Sequence, residues 1–105
     1  MKTEILLHHL REYTDMQPAF DKNDYVKLIF EQKKPRGAER MWVQVAEKIG
    51  HQYIGTLSNQ PVTIRMKLGD MVVFESIHVL DTMTQQQCMA GTKQAVKRAK
   101  NDPAL

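Results

Sequence analysis

The sequence predicts an α+β domain. A small antiparallel β-meander or SH3-like half-barrel spans about residues 25–80, flanked by an N-terminal helix and a C-terminal helix. Three observations predict it. The chain has 105 residues, which suits a single domain, residues 1–105, with one small core. Short β-rich runs through the middle are separated by Gly, Asn and Pro. The two ends instead place apolar residues at helical spacing.

Residues 3–15 read as the first helix. Thr3 caps it, Glu4 suits its positive end, and Ile5 or Leu6 with Leu10 and Tyr13 forms the apolar stripe. Residues 16–24 are a connector, marked by Pro18 and an Asp/Asn cluster. Tyr25 to Glu31 reads as a strand, and Lys33 to Ala38, with Pro35 and Gly37, as a basic loop. Arg40 to Ile49 carries two periods. Met41, Val43 and Val45 alternate as in a strand, whereas Trp42, Val45, Ala46 and Ile49 fit a helix. The β-branched Val43 and Val45 and the stop at Gly50 favour the strand. Gln52 to Leu57 is its hairpin partner, with the turn around Lys48 to His51. Asn59-Gln60-Pro61 is a turn, Val62 to Met66 a short edge strand, and Leu68-Gly69-Asp70 a tight turn. Met71 to Val79 is the last strand. Asp81 or Thr82 then caps a final helix of about residues 84–100.

Composition narrows the function classes. No run of 18 apolar residues is present, so no membrane span is expected. The first residues lack the apolar region and cleavage site of a secretory leader. Cys88 is a single thiol. A cytoplasmic protein is expected. Eleven Lys and Arg balance eleven Asp and Glu in residues 1–83. The net charge of +3 therefore sits in residues 84–105, where Lys93, Lys97, Arg98 and Lys100 face Asp102 alone.

Motifs with chemistry are few. His8 and His9 are adjacent and His51 and His78 isolated, without the paired spacing of a zinc site. Ser58 and Ser76 lack a nucleophile-elbow context, and neither phosphate-cradling glycine motif occurs. Cys88 lies in a packing stripe with no base beside it in sequence and reads as a structural thiol. No catalytic residue, cofactor or metal is expected.

The middle segment resembles a bacterial family of small domains of unknown function. The resemblance rests on Glu39-Arg40-Met41-Trp42-Val43-Gln44-Val45, on Gly55-Thr56-Leu57-Ser58-Asn59-Gln60-Pro61, and on Gly69-Asp70-Met71-Val72-Val73-Phe74 followed by Ile77. The pattern is E-x-M-W-V-x-V, G-x-L-x-N-x-P, then G-D-x-V-x-F, and covers about residues 26–80. The resemblance implies fold and strand placement, establishes no catalytic activity and adds little on mechanism. Members often continue with an acidic residue and Trp, whereas this chain runs Ile77-His78-Val79-Leu80-Asp81.

Two surfaces are candidates. Trp42, Asn59, Pro61 and Asp70 form a candidate partner surface. The alternatives are that Trp42 fills the core or barrel seam, and that the other three set turn geometry. Lys33, Lys34, Arg36 and Arg40, with Lys93, Lys97, Arg98 and Lys100, form a candidate basic surface for nucleic acid. The alternative is a solvated face near a helix C-terminus, where cations favour the dipole. The expected function is non-catalytic binding of a macromolecular partner, foremost a protein, in a regulatory, accessory or immunity-like role. Nucleic-acid binding is the alternative.

Overall fold

The computed structural model describes residues 4–88. Its strands are β1 (Ile5–Leu7), β2 (Tyr25–Gln32), β3 (Gly37–Ile49), β4 (Gln52–Leu57), β5 (Met71–Phe74) and β6 (Val79–Met83). They form one sheet in the order β1-β2-β3-β4-β5, with every neighbouring pair antiparallel. β6 also pairs with β2. It takes Tyr25 to Leu28, while β1 takes Phe30 to Gln32 farther along the same side. The sheet curls into a half-barrel, the architecture expected for a small meander.

Strand alternation sorts core from surface. Val26, Leu28 and Phe30 of β2 and Met41, Val43 and Val45 of β3 face the interior, with Leu57 and Phe74 opposite. Burying each such side chain contributes about 1.5–3 kcal/mol before the entropy of ordering it is subtracted. The curl has a local cause. β3 carries a bulge between Val45 and Glu47 that leaves Ala46 outside the ladder with β4. Gly55 stands across from Val45, close against the β3 backbone.

Gln32 ends the inward row of β2 and is fully buried. Its Nε2 donates to the Pro35 carbonyl at 2.6 Å, and its Oε1 accepts from the Arg65 amide at 2.7 Å. One side chain thus ties the 33–36 turn to the 58–70 loop. We expect Gln32→Ala to cost about 1–2 kcal/mol, because it strands the Arg65 amide and the Pro35 carbonyl. Urea denaturation of the purified variant measures it.

Several expectations are corrected. The described residues of the helix expected over 3–15 form none: Ile5–Leu7 is a strand, and residues 8–24 are irregular. An isolated helix of that length is marginal in water, whereas the unpaired side of β2 offers Ile5, Leu6 and Leu7 a ladder. The Leu10 amide then bonds the Ile77 carbonyl, so the segment runs on over the barrel. Val62 to Met66 is not a strand, because a carboxylate captures its backbone amides. Met71 to Val79 is not one strand either. It breaks at Glu75, passes through a 3-10 turn (Ser76–His78), and crosses to β2 as β6. Of the expected helix at 84–100, residues 85–88 form a helical turn, and the remainder lies outside the described residues. No helix among the described residues is long and apolar enough to cross a membrane.

Candidate functional site

The polar residues of the middle motifs converge on one loop. Glu39 lies on the same side of β3 as Met41 and Val43, at the rim of the core. Its carboxylate accepts from the backbone amides of Val62, Thr63 and Ile64. Burial pushes this carboxyl up, but the three amides outweigh burial and hold it below the ordinary carboxylate range. Asn59 Oδ1 accepts from the Trp42 amide, and the Ser58 amide donates to the Trp42 carbonyl at 2.9 Å. At the far end of the loop Asp70 Oδ2 accepts from the Lys67 amide at 2.8 Å. The Leu57 amide donates to the Asp70 carbonyl and the Gly69 amide to the Leu57 carbonyl, with Gly69 at φ 92°. Glu39, Asn59 and Asp70 thus staple residues 58–70 across the end of the barrel.

Trp42 points to the outer face of the sheet and is half-buried there. Lys27, its cross-strand neighbour on β2, lays Nζ 5.4 Å from the ring centroid. Asn59 is joined to Trp42 through the backbone. Pro61 is half-buried in the loop, and the Asp70 carboxylate is turned onto its own turn. Lys33, Lys34 and Arg36 are exposed in the β2–β3 turn, and Arg40 is exposed beyond it on β3. Lys93, Lys97, Arg98 and Lys100 lie outside the described residues. Half-buried Cys88 meets the Tyr25 hydroxyl, and burial, then this thiol, pushes that hydroxyl up.

Histidines gather where the N-terminal segment crosses the 3-10 turn. The His9 and His78 rings are 4.8 Å apart. His78 Nδ1 accepts from the Glu75 amide at 3.0 Å, and Tyr13 donates to the Glu75 carboxylate. Arg11 donates to the Val79 carbonyl at 2.8 Å. Burial, then His9, holds the His78 imidazole below its ordinary 6.5, with Glu75 opposing. A depressed folded value means the unfolded chain binds the proton more readily. The stabilisation is therefore complete above about 6.5 and is lost as pH falls through the folded value. We expect the unfolding midpoint to drop as pH falls below about 6.5. The slope should flatten in His78→Asn, whose side-chain oxygen replaces the Nδ1 acceptor without titrating. Among the described residues no three His, Cys, Asp or Glu side chains gather as metal ligands.

Among the concavities of the described residues, two bear on the site. The larger, about 540 Å³, opens between Phe20–Lys22 and the β3 bulge at Ala46–Lys48. Phe20 packs on Tyr53 at 4.7 Å between centroids, Tyr53 stacks on Phe74 at 5.4 Å, and Lys48 Nζ lies over Tyr53. Asp21 and Glu47 offset Lys22 and Lys48, so its wall has no dominant sign. The smaller, about 210 Å³, is an apolar slot between β1 and β5, lined by Ile5, Leu7, Phe30, Met66 and Val72. Its outer lip carries Met71 and Val73, which are 68% and 46% exposed.

Sequence reasoning missed the clamp of Glu39 and the slot. Glu39 was visible as a motif residue, but its partners lie more than twenty positions away. The slot has no local signal, because its two walls, Ile5–Leu7 and Met71–Phe74, are far apart in sequence. A family model described as "Uncharacterized protein conserved in bacteria (DUF2314)" matches residues 9–98. No curated protein and no solved structure matches the chain.

Proposed function

The chain belongs to this uncharacterised bacterial family, DUF2314, and within that frame we propose that it is a non-catalytic cytoplasmic domain that binds a protein partner. The observation that carries the reading is the use made of the motif side chains. Glu39 and Asn59 spend their oxygens on backbone amides, and Asp70 spends one of its own in the same way. A general acid, base or nucleophile needs such a group aimed at a substrate. The lip of the apolar slot between β1 and β5 instead exposes Met71 and Val73. Exposed apolar side chains clustered on one face mark protein contact more than nucleic-acid contact.

Affinity capture of the tagged protein from its native lysate, with and without nuclease, tests this. The expected result is a protein partner retained after nuclease. Material lost with nuclease, and lost also when Lys33, Lys34 and Arg36 are reversed to Glu, overturns it in favour of nucleic acid. Substrate turnover that a single point mutation abolishes overturns the non-catalytic assignment.

A further inference from the structure

Strand direction identifies what the slot between β1 and β5 can hold. The path β1-β2-β3-β4-β5 has five members, each antiparallel to the next. Its two end strands therefore run in the same direction. They flank an apolar slot and do not pair with each other. One further strand, antiparallel to both, would restore alternation on each side and close the barrel.

The edges of the slot suit such a strand. Just past the end of the β4–β5 ladder the Leu57 amide bonds the Asp70 carbonyl. Antiparallel alternation from that bond turns the amides and carbonyls of Met71 and Val73 away from β4, toward the slot. β5 has no Lys, Arg or Pro, the devices that commonly protect an exposed edge. The floor is apolar, with Phe30, Val72 and Leu7. Met66, unbranched and flexible, lies along it and is able to shift aside.

We propose that this slot takes a single extended segment of the protein partner, running antiparallel to β1 and β5, with apolar side chains at alternate positions facing Phe30 and Val72. The inference rests on the protein-binding reading above and names its site. The occupant must be free on both of its edges, because it pairs on both sides. A folded second copy presenting its own β5 is excluded by that requirement, since β4 already covers one edge of it. An unstructured stretch of another protein meets it.

The probe is the synthetic peptide acetyl-Lys-Val-Thr-Val-Thr-Val-Lys-amide, titrated into isotope-labelled full-length protein and followed by amide NMR. The expected result is shifts, with slowed hydrogen exchange, at Ile5–Leu7 and Met71–Phe74. N-methylation of the central valine of the peptide should weaken binding about tenfold or more. Val73→Pro removes an outward-facing donor while sparing the β4 ladder, and should weaken binding similarly. The N-methylated peptide serves if that variant does not fold. Shifts confined to other surfaces, or equal binding of the N-methylated peptide, overturn the assignment, as does a concentration-dependent dimer that Val73→Pro dissolves. A nuclease-resistant partner held equally by wild type and folded Val73→Pro overturns the slot but leaves protein binding standing. Failure to capture any partner bears on the protein-binding reading alone, since the peptide titration judges the slot separately.

Discussion

Gly55→Ala is expected to destabilise the domain by about 2–3 kcal/mol, lowering the thermal midpoint by roughly 10–20 °C. A Cβ at Gly55 would lie 2.5 Å from the Gln44 carbonyl oxygen and 2.6 Å from Val43 Cγ1. The valine methyl has some freedom to turn, but the carbonyl belongs to the β3 backbone. Relief requires β3 and β4 to separate where the bulge at Val45–Glu47 bends the sheet. Gly50→Ala is the internal control. Gly50 sits at φ 63° in the β3–β4 turn with nothing near its absent Cβ, so only backbone strain applies. That substitution should cost about 1 kcal/mol. Calorimetry of both variants separates close strand approach from turn conformation. Equal losses would refute the crowding account.

The second large effect is expected at Glu39. Glu39→Ala should cost about 2–3 kcal/mol, since it removes the acceptor of three backbone amides at once. That figure is already reduced for partial exposure, because water replaces some of the lost bonds. Glu39→Gln keeps one acceptor oxygen and should lose about half as much. The pH dependence follows from the lowered carboxyl. Its contribution is complete above the unfolded value of 4.5 and fades as pH falls through the lower folded value. Wild type should therefore lose stability below about pH 4.5, and Glu39→Gln should lose less over the same interval. Amides of Val62, Thr63 and Ile64 should exchange faster in Glu39→Ala, with β2 amides little changed. Uniform acceleration across the sheet would show that Glu39 supports the whole fold and not the loop alone.

Parts of this architecture were legible locally. Val26, Leu28 and Phe30, like Met41, Val43 and Val45, alternate in the sequence and face the core in the structure. Gly50 and Gly69 mark turns, and both take positive φ. The first helix was illegible for a physical reason. Ile5, Leu6 and Leu7 suit a short helix and a short strand equally, and the choice fell to a free side of β2 more than twenty residues away. The break in Met71 to Val79 was hidden too. Most of its residues are β-formers, while the capping between Glu75 and His78 and the return to β2 appear only in the fold. Of the candidate site, the sequence left Trp42 open between an exposed ring and the core or barrel seam, and the structure places it half-buried on the outer face. The oxygens of Asn59 and Asp70 were legible as turn chemistry, but not that Asn59 holds Trp42.

By itself, the sequence determined the inward and outward faces of the central strands, the two glycine turns, and the small single core. Those features follow from side-chain period and backbone sterics, which act within a few residues. Tertiary structure alone decided that Ile5–Leu7 joins the sheet, that Glu39 stations the 58–70 loop, and that β1 and β5 face each other across an apolar slot. Each of these depends on groups far apart in the chain meeting only after the sheet curls. The middle motifs are the staples of the barrel. The surface proposed to work, the edges of β1 and β5, exists because five antiparallel strands end in two that cannot pair antiparallel with one another.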